Sequence, residues 1–284
     1  MMFSIENMSQ AEVAMAIEWA AQEGWNPGIS DAWSFPVADP RGFFIAKMGN
    51  QAVAVMSAVR YGEQFGFIGL YIAHPDFRGR GFGWDLWQVG MRHLHGRVVG
   101  LDGVLAQQSN YQKSGFQLSH RHIRFEGRSR GVGLESDFSK VSTVPLDQIP
   151  LSKIQAFDRS FFPEDRSFFL SQWIRQPGSY ALGLIQEGEI SGYGVIRPCR
   201  VGFKIGPLFA NSECVAEQLF ISLCALLAND TPVFLDIPEC NAGAMALVRR
   251  HYMQPMFETA RMYTGSVGDV RLDDTYGITT FELG

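Results

Sequence analysis

A chain of 284 residues exceeds the commonest single-domain size, so two domains are expected. Its 46% hydrophobic content supplies two cores, and a net charge of −5 speaks against nucleic-acid binding, which needs a basic face. No apolar run reaches membrane-spanning length and no secretory leader is seen, so a soluble, cytoplasmic protein without a membrane partner is expected.

Ser9-Gln10-Ala11-Glu12 reads as a capping box, and Val13, Ala16, Ile17 and Ala20 then form one buried helical stripe ending near Gly24. From Trp25 to Arg41 there is no period, which predicts an irregular connection or a short helix. Phe43 to Met48, the turn Gly49-Asn50, and Gln51 to Tyr61 predict a β-hairpin, followed by an apolar strand from Phe65 to Ile72. A glycine-rich segment comes next. Beyond it Trp84, Trp87, Met91 and Leu94 share one face of a helix that Gly96 stops, and Val98 to Leu101 reads as a buried strand.

The polar stretch 128–140 reads as a linker between domains 1–127 and 141–284. The second half repeats the order of the first. Tyr180 to Gln186 and Ile190 to Ile196 form a hairpin, and the segment from Gly202 to Ala210 echoes Gly66 to Ala73. A helix from Cys214 to Leu227, a strand from Pro232 to Ile237 and a helix from Asn241 to Tyr252 follow. The fold class is therefore α/β (α+β), duplicated at domain scale, each half a mixed sheet with flanking helices.

Four cysteines, all in the second half, fit no zinc spacing and read as buried thiols. His93 and His95 point to different helix faces, and His120 and His122 alternate with Arg121 and Arg124 on the solvent or cleft face of a strand. No metal is expected. Phe157, Phe161, Phe162, Phe168, Phe169 and Trp173 read either as a helix–core interface or as the wall of a pocket between the halves.

The chemistry concentrates in Leu70-Tyr71-Ile72-Ala73-His74-Pro75-Asp76-Phe77-Arg78-Gly79-Arg80-Gly81-Phe82-Gly83, a strand, a proline-broken loop, alternating glycines and a helix start. Glycines let successive amides turn inward, the helix N-terminus adds partial positive charge, and two arginines can add charged hydrogen bonds. Together they make an anion cradle suited to a pyrophosphate. Lack of a Gly-Lys-Ser/Thr run excludes a P-loop, and the preceding elements exclude a dinucleotide-binding βαβ unit.

Arg78-Gly79-Arg80-Gly81-Phe82-Gly83 resembles the R/Q-x-x-G-x-G/A signature of the GNAT acetyltransferase superfamily, and Tyr111-Gln112-Lys113-Ser114-Gly115-Phe116 resembles its Y-x-x-x-G-F segment. The likeness spans roughly Met1 to Gly127. It implies two tandem GNAT-like domains with mostly antiparallel sheets, the second a degenerate copy with a structural or substrate-pocket role. It also implies an N-acyltransferase moving an acetyl or short acyl group from acetyl-CoA, or another short acyl-CoA, to a primary amine of a small molecule. By the same resemblance Leu70, Tyr71 and Ile72 hold the pantetheine arm and thioester. Arg78, Gly79, Arg80, Gly81, Phe82, Gly83 and Trp84 form the pyrophosphate loop, and Tyr111 is the acid for the departing thiolate. Relatives often carry Asn where this chain has Val104, seven residues before that tyrosine, so one cofactor contact departs from the pattern. In the second half the corresponding loop, Asn211-Ser212-Glu213-Cys214-Val215-Ala216, lacks glycine and carries a carboxylate, so only the first half is expected to bind CoA.

Direct attack on a thioester needs a free amine, and deprotonating a primary ammonium at pH 7 costs about 4–5 kcal/mol. Glu63 is the candidate base, with a solvated turn charge as its competing reading; Asp102 and Asp236 are further strand-end carboxylates. Trp25, Trp33 and Asp236 are placed in the acceptor pocket. The backbone amide near Ile72 is assigned to the oxyanion. A monomer or homodimer is expected. The competing functions are a non-catalytic acyl-CoA sensor and a tandem GNAT-like aminoacyl-transfer enzyme.

Overall fold

The computed structural model describes residues 2–129 and 143–284. The first half runs β1 (Phe3–Asn7), α1 (Gln10–Gln22), α2 (Asp31–Ser34), β2 (Phe43–Met48), β3 (Gln51–Tyr61), β4 (Phe65–Ala73), α3 (Phe82–His93), β5 (Val98–Val104), α4 (Gln108–Lys113) and β6 (Gln117–Arg128). The second runs β7 (Thr143–Pro145), α5 (Leu151–Asp158), α6 (Ser167–Trp173), β8 (Tyr180–Gln186), β9 (Glu189–Pro198), β10 (Phe203–Ala210), α7 (Glu213–Ala225), β11 (Pro232–Pro238), α8 (Ala242–Arg250), β12 (Gln254–Tyr263) and β13 (Thr275–Gly277). The expected linker, 128–140, lies outside the described residues from 130 onward, and Arg128 still belongs to β6.

Local chemistry sets the first elements as the sequence suggests. Ser9 caps α1 in a full capping box with Glu12, and Val13, Ala16, Ile17 and Ala20 are its buried stripe. Side chains of β3 alternate: Val55 and Val59 join the core under α1, while Ala54, Met56 and Ala58 join Leu86 and Trp87 of α3 on the other face. The helical face expected of α3 is corrected in one respect. Trp84 is 58% exposed, because the buried stripe runs through Leu86, Trp87 and Gly90 instead. Gly90 permits that approach, since a Cβ there would lie 2.0 Å from the Met56 terminal methyl.

Among the described residues the strands form one continuous mixed sheet in the order β1-β2-β3-β4-β5-β12-β6-β11-β10-β9-β8-β7, with β13 added on β10. Among the described residues parallel pairing occurs between β4 and β5 and between β10 and β11, the same step in each half. The halves also exchange strands at the centre. From the second half, β12 inserts between β5 and β6, while β6 lies between β12 and β11. Each half is thus completed by the other's strand, a pseudo-two-fold arrangement with β12 and β6 antiparallel on the axis.

The aromatic cluster of the second half serves the core. Phe161, Phe162, Phe169 and Trp173 are buried with Phe35, Tyr61 and Phe65 of the first half, and Phe161 stacks on Phe209 at 4.2 Å. Phe168, 71% exposed, is outside it.

Candidate active site

The parallel pairing of β4 with β5 lasts only from Phe65–Ile68 against Val98–Leu101. Beyond it the strands part. On one side β4 bulges: Leu70 and Tyr71 oppose the single residue Met56 of β3, with Leu70 at φ 47°. On the other, Gly100–Val104 of β5 is held along its far edge by β12. The wedge opens into a cleft of about 480 Å³ that runs from the glycine loop to the junction of the halves.

At its outer end the loop turns through Gly79 (φ 73°) and Gly81 (φ 88°), backbone shapes that disfavour a side chain even though nothing lies within 4 Å of a Cβ at either position. Gly81 opens α3 without a side-chain cap, and the ladder starts only with Asp85 N to Gly81 O at 3.1 Å. The amides of Phe82, Gly83 and Trp84 therefore precede the ladder and face an open end. Arg78 donates from Nε to Ala73 O at 3.0 Å and ion-pairs with Glu23 at the mouth. Arg80 lies over the rings of Phe77 and Phe82, 5.1 and 5.4 Å from their centroids. Leu70, Tyr71, Ile72, Arg78, Gly79, Gly81, Gly83 and Trp84 line the cleft; Arg80 and Phe82 of the expected set do not.

Tyr111, on α4, lines the opposite wall against Trp87 (5.6 Å between ring centroids) and Phe116 (6.5 Å). Burial raises its phenol well above the ordinary tyrosine value, so it stays protonated and able to donate. Burial likewise pushes Tyr71 up to about 12.

Three expected positions are corrected. Glu63 is exposed in the turn before Phe65, and the cleft lies at the other end of β4, on the order of 20 Å along the strand. Trp33, 48% exposed on α2, is absent from the cleft wall, whereas Trp25 lines it. Asp236 is buried behind the wall, where both its oxygens accept from Arg124 at 2.7 Å. Burial alone would raise that carboxyl; the Arg124 guanidinium outweighs it and holds it low. Arg124 also donates to Trp25 O at 2.5 Å and spans the Phe281 ring at 4.9 Å, so this pair braces the wall.

Asp102 lines the cleft, with both oxygens engaged. Arg261 donates to them at 3.0 and 2.6 Å, and His122 Nδ1 lies 2.8 Å from Oδ1. Burial works against its charge, but Arg261 and His122 hold the carboxyl well below the usual range. His122 Nε2 in turn lies 3.0 Å from His120 Nε2, and both rings are buried; of the solvent or cleft face that the strand alternation suggested, the solvent face is ruled out.

Sequence reasoning missed Glu23, Phe257, Thr259, Phe281 and Glu282 in the lining. Four of these arrive on β12 or the C-terminal tail, which carry no motif. The equivalent wedge of the second half is closed: β13 pairs with β10 at Leu208–Gly277 and Phe209–Thr275, and Ile278 N donates to Asp236 O of β11 at 2.9 Å. Among the described residues no group of three or more His, Cys, Asp or Glu could hold a metal, and no helix is long and apolar enough to cross a membrane.

Known proteins resemble this chain in both halves. The model of the acetyltransferase (GNAT) family matches residues 11–116, and that of an acetyltransferase (GNAT) domain matches 154–277. The holothin acyltransferase of Pseudoalteromonas sp. (strain SANK 73390) is 28% identical over 268 residues, 94% of this chain and 90% of that protein. A solved Pyrococcus horikoshii structure assigned as an acetyltransferase superposes with a TM-score of 0.82 at 23% identity, covering 99% of this chain and 96% of that one. A tandem GNAT protein from the clavulanic acid biosynthesis pathway gives a TM-score of 0.63 at 13% identity, over 93% and 99% of the two chains. The two solved structures speak to the fold.

Proposed function

The chain belongs to the GNAT acetyltransferase family, carrying two of its domains in tandem, and from that premise we propose that it moves an acetyl or short acyl group from acyl-CoA to the primary amine of a small molecule, using the first half alone as donor site. The observation that carries this reading is the asymmetry of the two wedges: one opens behind a glycine loop, while β13 fills its counterpart.

The residues present suit the donor. Uncapped amides at the start of α3 and the two positive-φ glycines offer a diphosphate cradle with no side chain in the way. Backbone of β4 freed by the bulge at Leu70 and Tyr71 can pair with the amide-bearing arm, and an amide at the strand end near Ile72 can stabilise a carbonyl oxygen that becomes an oxyanion. A neutral amine attacks the thioester carbonyl, the C–N bond forms, the C–S bond breaks, Tyr111 protonates the thiolate, and the proton lost by the nitrogen replaces the one Tyr111 gave. Trp25, Phe257 and Phe281 give the cleft an apolar aromatic lining suited to a compact acceptor. The name of the Pseudoalteromonas relative makes holothin the first acceptor to try.

Calorimetric titration with coenzyme A, followed by thiol release from acetyl-CoA in the presence of holothin and a panel of primary amines, tests the reading. Saturable CoA binding and amine-dependent thiol release are expected. No saturable binding would remove the donor site; binding without release to any amine would favour an acyl-CoA sensor.

A further inference from the structure

Resting on that reading of the cleft, we propose that Glu282, brought in on the C-terminal tail, is the general base that takes the proton of the acceptor, and that the acceptor is a primary alkyl amine carrying an aromatic body.

The tail is fixed on both sides of this residue. Upstream, β13 is paired to β10; downstream, Tyr61 Oη donates to Leu283 O at 3.0 Å and Gly284 N to Thr280 O at 3.2 Å. The Glu282 backbone lies directly on β4, since a Cβ at Gly69 would come within 2.1 Å of the Glu282 carbonyl oxygen. That places it immediately before the bulge at Leu70 that opens the wedge. Glu282 is 3% exposed and lines the cleft. Its Oε2 accepts from the Thr280 hydroxyl, while Oε1 is buried without a hydrogen-bond partner among the described residues. A buried carboxylate oxygen left unpaired is costly, and a donor on a ligand would satisfy it.

Other carboxylates of the cleft are committed elsewhere. Glu23 pairs with Arg78, and both oxygens of Asp102 are held by Arg261 and His122. Arg124 of β6 and Arg197 of β9 both feel the charge of Glu282. Each already has a carboxylate of its own: Asp236 for Arg124 and Asp31 for Arg197. Glu282 is thus the one carboxylate of this lining that combines burial with an uncommitted oxygen. Trp25, Phe257 and Phe281 line the same cleft, and an apolar aromatic lining favours an acceptor with an aromatic body over a long polar one.

The proton ledger closes without a further reactant. The ammonium gives one proton to Glu282, and the resulting amine attacks. Its second proton, lost as the amide forms, restores the one Tyr111 donated to the thiolate. Glu282 then releases its proton to solvent, giving amide, free thiol and one proton from ammonium and thioester.

The test compares wild type with Glu282→Gln, using acetyl-CoA and 2-phenylethylamine between pH 6 and 10. Calorimetry should give CoA affinities equal within about twofold, while kcat/KM for the amine at pH 7 falls roughly 100-fold or more. The deficit should shrink about tenfold per pH unit as free amine accumulates, because the variant reacts only with amine already neutral. A loss that stays constant across this range, or activity within about threefold of wild type, overturns the base assignment. Wild type that binds CoA yet leaves 2-phenylethylamine unacetylated overturns the acceptor class while the donor site stands. Wild type that fails to bind CoA instead overturns the donor reading, and this proposal with it.

Discussion

The Tyr111 ring occupies the space that a side chain at position 103 would need: a Cβ on Gly103 would lie 2.3 Å from the tyrosine Cε2. Gly103 is in β5, on the wall that parts from β4, so a small residue there is what lets the phenol lie against the cleft. Gly103→Ala should push the ring aside, costing about 1–3 kcal/mol in urea unfolding and lowering kcat by roughly 10–100-fold through misplacement of the acid. Tyr111→Phe keeps the packing and removes only the hydroxyl. Its unfolding midpoint should match wild type while kcat falls, with CoA affinity unchanged within about twofold. Equal kcat in wild type and Tyr111→Phe, measured by thiol release, would take the tyrosine out of the chemistry.

A second prediction concerns the buried imidazoles. His122 Nδ1 faces the Asp102 carboxylate and so carries a proton; its Nε2 then accepts from His120 Nε2, and His120 Nδ1 accepts from the Ser119 hydroxyl at 3.0 Å. This chain is complete only with both rings neutral. Burial, with His122 and Arg261 adding to it, depresses His120 to about 3, and burial lowers His122 despite Asp102. A folded value below the unfolded one means that the unfolded chain takes up protons first as pH falls. Stability is therefore full above about pH 6.5 and declines below it, by about 3 kcal/mol at pH 4 for a shift of this size. The depressed carboxyls of Asp102 and Asp236 add their own loss only below about pH 4. Urea titrations at several pH values should show the first decline in wild type, and His120→Gln should flatten it between pH 6.5 and 4.

How much of this was legible in the sequence follows the range of the interactions. The α1 cap, the β2–β3 hairpin and the glycine loop are decided within a few residues, and all are read from local chemistry. Tyr111 reaches the cleft because α4 directly follows β5, again a short-range matter. Glu63 misled because a carboxylate near the right strand gives no hint of which end of that strand opens; the bulge at Leu70 decides it. Helical period wrongly put Trp84 on the buried face of α3, whereas the motif reading put it beside the glycine loop, where it lines the cleft. Asp102 bonded to Arg261, and Glu282 beside Gly69, depend on a strand exchange and a tail insertion that join residues far apart in the chain. No periodicity encodes either.

The closure of the second wedge leads to the last prediction, one donor site per chain. In the first half Gly81 leaves the leading amides of α3 uncapped. In the second, the Ser212 hydroxyl already accepts from Val215 N at 3.3 Å, Glu213 sits in the first turn of α7, and β13 fills the gap beside β10. A diphosphate at α7 would have to displace a cap, lie against a carboxylate and expel a paired strand, three costs with the same sign. Calorimetry should accordingly return one CoA per chain. Gly81→Ala meets no neighbour, so its cost is that of holding a side chain at φ 88°, about 1–2 kcal/mol, which should appear as a roughly tenfold or greater loss of CoA affinity if the loop relaxes to a commoner backbone shape. Ser212→Gly, the matching change in the other half, should leave CoA affinity where it was. Two molecules bound per chain, or a larger effect from Ser212→Gly than from Gly81→Ala, would contradict the assignment of the donor site to the first half.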